Sequence, residues 1–182
     1  MEIKSTEQLE ISIRMARPLD ADLLVKLGRA CFYEAFSEQT APQDMEAHLQ
    51  KAFNVNEIRS QLGNERAVFL IAEADALAAG YAYLYPQDPP DCVKAPHPIQ
   101  LIRFYLRREY YGRNVGNTLM KACLEIARAK GYQVVWLSTW ELNHRANAFY
   151  KKWDFEIVGK AKFTVGSDVQ NDFIFARSLQ TE

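Results

Sequence analysis

The segment Arg107-Arg108-Glu109-Tyr110-Tyr111-Gly112-Arg113-Asn114-Val115-Gly116 places three arginines and two glycines just ahead of a helical pattern. A short glycine-bearing turn at a helix start aims several backbone N–H groups at one point, and the helix dipole adds partial positive charge there. The chemistry this allows is anion binding, most naturally of a phosphate or pyrophosphate, with Arg107, Arg108 and Arg113 as candidate direct contacts. The same residues also suit a plain β–α connection with solvated arginines, so the turn must be read with its neighbours. No Cys/His cluster has metal-ligand spacing, and no metal is expected.

The elements that must position this turn are legible on both sides of it. Ile99, Leu101, Phe104, Tyr105 and Leu106 form a branched and aromatic run suited to a strand. Val115, Leu119, Ala122, Cys123, Ile126 and Ala127 then recur at helical spacing, and Gly131 stands where a helix stop belongs. A second strand is expected at 133–139, and a parallel crossover is the economical way to join it to the first.

Upstream, Ile11, Ile13 and Met15 alternate as a strand. Asp20 can cap a helix burying Leu23, Leu24, Leu27, Ala30, Cys31 and Tyr33 or Phe36. A second helix is expected at about 43–53, then a short helix or turn at 57–63. Strands 67–72 and 79–85 flank Asp75-Ala76, a weak hairpin signal lacking Asn-Gly or Asp-Gly. Downstream, a helix over 143–152 and two closing strands, 155–165 and 172–177, turn at Gly166-Ser167-Asp168. The order predicts an α/β domain over 1–182 with a mixed sheet, parallel only in its middle.

The chain has 182 residues, enough for one sizeable core, and a net charge of −1, which excludes a generally basic nucleic-acid binder. Cys31, Cys92 and Cys123 are odd in number and widely spaced. No segment has the apolar length to span a membrane, and no signal-peptide pattern opens the chain. A reduced, cytoplasmic protein is the expectation.

From Ile11 onward, order and motifs resemble the GNAT superfamily of acyl-CoA-dependent N-acetyltransferases. Its pyrophosphate loop reads Gln/Arg-x-x-Gly-x-Gly/Ala. The aligned segment here is Tyr111-Gly112-Arg113-Asn114-Val115-Gly116, with Tyr111 for the polar entry residue and Asn114 for the middle glycine. Asn is the non-glycine residue that best tolerates a left-handed backbone. The second motif, Asn-x-x-Ala-x-x-Phe-Tyr-x-x-x-Gly-Phe, is matched by Asn143, Ala146, Phe149, Tyr150 and Phe155, with Asp154 for glycine. The N-terminal helical region and Gly166, Asp168, Gln170 and Asp172 are similar to the bacterial polyamine (spermidine/spermine) N-acetyltransferase branch.

The resemblance implies a mostly antiparallel sheet with one splayed parallel strand pair, flanked by helices. It implies acetyl-CoA as co-substrate, a primary amine as acceptor and a homodimer as a common assembly. Phe104, Tyr105 and Leu106 would bind the pantetheine arm through their backbone. Arg107, Arg108, Gly112, Arg113, Asn114, Val115 and Gly116 would surround the pyrophosphate. Asn143 would orient the cofactor or cap its helix, and Tyr150 would protonate the leaving thiolate. Phe32, Tyr33 and Phe36, with Glu34 and Glu38, would wall a cationic acceptor. Relatives often place a Glu near Gln100, and an amide cannot take a proton. Glu141, His97, His144 or delivery of free amine from bulk remain the routes. Other acceptors open to this pattern are a protein N-terminus, an amino acid or another amine. A non-catalytic acyl-CoA-binding module is the rival from another class.

Overall fold

In the computed structural model, which describes residues 9–165 and 168–179, the strands are β1 (Ile11–Met15), β2 (Val68–Ala74), β3 (Leu77–Tyr85), β4 (Pro98–Leu106), β5 (Val134–Trp140), β6 (Glu156–Val165) and β7 (Asp168–Ser178). The helices are α1 (Ala21–Phe36), α2 (Pro42–Ala52), α3 (Val55–Leu62), α4 (Val115–Ala129) and α5 (His144–Lys152). The sheet runs β1-β2-β3-β4-β5-β7-β6. All its ladders are antiparallel except β4 with β5, which is parallel. This is the α/β arrangement that the sequence order predicts.

Two apolar layers hold the sheet. On one face α4 buries Val115, Leu119, Met120, Cys123, Leu124 and Ala127 against Leu70, Ala72, Leu84, Leu101 and Leu137. Val115, Leu119, Cys123 and Ala127 are positions that the periodicity marks; Met120 and Leu124 widen the stripe, and the expected Ala122 and Ile126 lie only partly buried at its edge. On the other face α1 packs Leu24, Leu27 and Cys31 with Ile58 against Phe69, Ile71, Tyr81 and Tyr83. Phe32 joins Met45, Leu49 and Phe53 in an adjoining cluster. All three cysteines are free thiols.

Several expectations are corrected in detail. The buried face of α1 is Ala21, Leu24, Leu27, Gly28, Cys31 and Phe32, while Tyr33 is 56 % exposed. One step of about 100° separates neighbouring residues on a helix, so burying Phe32 turns Tyr33 outward. Asp20 does not cap α1 with its side chain. Its carboxylate instead takes Arg14 at 2.8 Å and the Arg17 N–H at 2.7 Å. The segment after α2 is a full helix, α3, with the Asn54 side chain accepting from the N–H groups of Asn56 and Glu57. Asp75 and Ala76 both take positive φ, 50° and 63°, as a tight hairpin demands even without glycine. β6 is one continuous strand, bulged between Ile157 and Gly159. The Gly166-Ser167 part of the final turn lies outside the described residues.

The junction of β4 and its following turn is tied to α1 by one carboxylate. Glu34 accepts from Arg107 Nε through Oε1 at 2.8 Å and from the Arg108 backbone N–H through Oε2 at 2.8 Å. The pair is partly exposed, so its contribution is modest, about 1 kcal/mol. Glu34→Ala is expected to lower the melting temperature by about 2–4 °C in a thermal melt, without loss of secondary structure by circular dichroism.

Candidate active site

The parallel ladder between β4 and β5 consists of Pro98↔Val134, Ile99↔Val135 and Gln100↔Trp136 and then stops. Both strands continue, β4 to Leu106 and β5 to Trp140, each still bonded to its outer neighbour. The sheet therefore opens between 101–106 and 137–140. A cleft of about 700 Å³ follows this opening, lined by Phe104, Tyr105 and Leu106, by Ser138, Thr139 and Trp140, and by residues of the turn, α1 and α5. Backbone groups facing a gap have no strand partner, and a ligand bearing amides can complete them as an added strand would.

The turn closes one end of the cleft. A 3-10 segment over Arg108–Tyr110 leads to Gly112 at φ 74° and Asn114 at φ 67°. Asn114 thus keeps the left-handed geometry of the glycine it replaces. A side-chain relay holds it there: Trp153 Nε1–H donates to Asn117 Oδ1 at 3.2 Å, and Asn117 Nδ2–H donates to Asn114 Oδ1 at 2.9 Å. Asp154 likewise substitutes for glycine at φ 56°. A Cβ on Gly116 would meet Leu106 Cδ1 at 3.0 Å, so glycine lets the start of α4 approach the end of β4 closely. The first N–H groups of α4 have no intrahelical acceptor, and the helix dipole favours an anion beside them.

The arginines divide. Arg107 is spent on Glu34 and is outside the cleft lining; Arg113 is exposed and also outside it. Val115 is fully buried in the core, so only its backbone is available to the turn. Arg108 lines the cleft, with Glu38 at 3.7 Å. A fourth arginine, which the sequence reading misses, takes a place at the cleft: Arg145 of α5 lies over the Tyr111 ring at 3.7 Å from its centroid. Tyr111 thus supports a cation where a polar entry residue is usual. The signal available in sequence was only that Arg145 follows the helix cap by two positions. Nothing local joined it to Tyr111.

Tyr150 lies on α5 at the cleft, 8 % exposed, among Phe104, Phe149, Phe155 and Phe175. Burial pushes its phenol well above the ordinary range, which favours the neutral form. Asn143 lines the cleft and caps α5, its Oδ1 accepting from the Ala146 N–H at 3.2 Å. Phe32 and Phe36 line the opposite wall, whereas Tyr33 does not.

The expected proton acceptors fare poorly. Glu141 is held by Lys160 at 3.1 Å and Asn171 at 3.2 Å, and these bonds keep its pKa below the usual carboxylate value. Gln100 accepts from Gln87 Nε2. His97 and His144 do not line the cleft. The described residues contain no group of three or more potential metal ligands, and no helix among them is long and apolar enough to cross a membrane.

A splayed parallel strand pair with a glycine turn at its mouth defines the acyl-CoA acetyltransferase class of folds. The sequence model of the acetyltransferase (GNAT) family matches residues 26–155, and the chain belongs to that family. It is an acyl-CoA-dependent N-acetyltransferase with acetyl-CoA as co-substrate. It is similar to an uncharacterized N-acetyltransferase from the pepI 3′ region of Lactobacillus delbrueckii subsp. lactis, 26 % identical over 92 % of this chain and 98 % of that one. An uncharacterized N-acetyltransferase of Mycobacterium tuberculosis is 29 % identical over 88 % of this chain and 98 % of the relative. Among solved structures, PaiA N-acetyltransferase from Thermoplasma acidophilum in complex with coenzyme A superposes with a TM-score of 0.73 at 24 % identity, covering 93 % of this chain and 99 % of that one. The ribosomal-protein-S18-alanine N-acetyltransferase of Escherichia coli has the same fold, with a TM-score of 0.71 at 12 % identity over 95 % of this chain and 96 % of that one.

The arginine geometry makes a graded prediction. By isothermal titration, Arg145→Ala is expected to weaken acetyl-CoA binding about tenfold, the size of one lost charge-assisted contact. Arg108→Ala should weaken it less, and Arg113→Ala should leave it unchanged.

Proposed function

We propose that the chain transfers the acetyl group of acetyl-CoA to a primary amine within the cleft between β4 and β5, residues 1–182 acting as one acetyltransferase domain. The observation that carries this reading is the three-pair ladder that ends at Gln100 and leaves both strand edges open beside a glycine turn. The unpaired backbone of Phe104, Tyr105 and Leu106 suits the amides of a pantetheine arm. The turn from Gly112 to Gly116, with Arg108 and Arg145, suits the pyrophosphate. The PaiA structure holds coenzyme A, which supports the same occupant here.

Holding thioester and amine side by side removes most of the entropy cost of a bimolecular step. The amine attacks the thioester carbonyl, and the departing thiolate takes a proton from the Tyr150 phenol. Phe32, Phe36 and Trp140 offer aromatic surface to a cationic acceptor. A polyamine is the first acceptor to test, since the C-terminal hairpin residues Gln170 and Asp172 follow the pattern of that branch. Fold does not choose the acceptor, because the S18-alanine enzyme named above shares it.

Thiol release with acetyl-CoA and a panel of spermidine, simple alkylamines, amino acids and peptide N-termini tests the reading. Turnover on at least one amine is expected, and binding of acetyl-CoA without turnover on any would overturn it. With the best acceptor, Tyr150→Phe should lower kcat about 100-fold and leave acetyl-CoA affinity within about twofold. Unchanged kcat would remove Tyr150 from the acid role.

A further inference from the structure

Near the acceptor wall, Glu34 of α1 is hydrogen-bonded to Arg107 at 2.8 Å, and Glu38, just past the end of α1, lies 3.7 Å from Arg108. One more carboxylate lies at the cleft with one of its oxygens unbonded among the described residues. Asp172 of β7 is 5 % exposed and lines the cleft. Its Oδ1 is sealed from solvent and has no hydrogen-bond partner among the described residues. No ion pair to it is formed among those residues, whereas Glu141 nearby is held by Lys160. A buried acceptor left without a donor is costly, and a reacting ligand is one of the partners that can satisfy it.

Register fixes which side of the sheet it serves. Asp172 pairs with Trp140, and Ile174 with Ser138. Ile174 packs with Trp136 and Val93. Phe173 and Phe175, between and beyond them, pack into the core beneath α4 and α5. Side chains alternate along a strand, so Asp172 lies on the face opposite Phe175, and Tyr150 packs against Phe175. The carboxyl and the phenol therefore flank the gap from opposite faces of the sheet.

Resting on the acetyltransferase reading above, we infer that Asp172 accepts the proton of an incoming alkylammonium ion and holds the resulting amine beside the thioester. The substrates are then alkylamines that arrive charged. The ammonium gives one proton to the Asp172 carboxylate. The nitrogen lone pair forms the C–N bond at the thioester carbonyl, and the C–S bond breaks as the tetrahedral adduct collapses. The thiolate takes the Tyr150 proton, the second proton on nitrogen passes back to Tyr150, and Asp172 releases its own to solvent. Products are the N-alkylacetamide, free coenzyme A thiol and one proton. Burial raises the carboxyl's pKa, opposed in part by a hydrogen bond from Ser138, and a raised pKa makes the carboxylate a stronger base.

The test compares wild type, Asp172→Asn and Asp172→Glu on the best alkylamine and on its β,β,β-trifluoro analogue, which is neutral at assay pH. Asp172→Asn should lower kcat/KM about 100-fold on the alkylamine and less than about threefold on the trifluoro analogue. Acetyl-CoA affinity should be unchanged and the melting temperature no lower, and Asp172→Glu should recover part of the alkylamine rate. Equal losses on charged and neutral amines, or no loss on the alkylamine, overturn this inference alone. A wild-type protein inactive on every amine overturns the acetyltransferase reading itself and this inference with it.

Discussion

The divergence of β4 and β5 after Gln100 is the constraint on which the rest of the molecule depends. A strand edge left open inside a protein is a row of unsatisfied donors and acceptors. It persists only if each strand is held firmly from its other side. β3 holds β4 through Leu106, and β7 holds β5 through Trp140. Aromatic packing fills the base of the gap, with Phe104 stacked on Phe149 at 5.5 Å and Tyr150 against both. The opening is therefore rigid on both banks, which is what positional catalysis requires of a site that must align two reactants.

Around that opening the molecule spends its charges in two ways. Arg107, Glu34, Glu38 and Glu141 are paired and organise loops or strand ends. Arg145 and Asp172 face the cleft, at two different places along it. The separation makes chemical sense for an acetyl transfer, in which an anionic cofactor enters beside basic groups and a cationic acceptor beside an acidic one. The exposed pairs contribute little energy individually. Their effect is to remove charges that would otherwise compete for the same ligands.

Departures from the family pattern are absorbed by local backbone chemistry. Asn114 and Asp154 occupy left-handed conformations where glycine is usual, and both side chains are among the few that tolerate this. Asn114 gains a relay through Asn117 to Trp153 in return. Tyr111 replaces the usual polar residue at the turn's entry and carries the Arg145 guanidinium on its ring. The turn thus keeps its shape and its positive character by different means.

What the sequence determined by itself is whatever depends on neighbours along the chain. Periodicity located α4 and its buried stripe, strand–turn–helix spacing located the anion turn, and the Asn143–Phe155 motif located α5 and Tyr150. What only the tertiary structure decided depends on partners far apart in sequence. Glu34 reaches across to pair with Arg107; Arg145 crosses to Tyr111; Phe32 rather than Tyr33 turns inward because Met45, Leu49 and Phe53 receive it. In the sequence Asp172 stood out only as one residue of the C-terminal hairpin pattern, with no role of its own. Its significance came from register, which set it beside Trp140 on the open face of the cleft with one oxygen unsatisfied. Burial and pairing are properties of the assembled sheet, and no window of local sequence contains them.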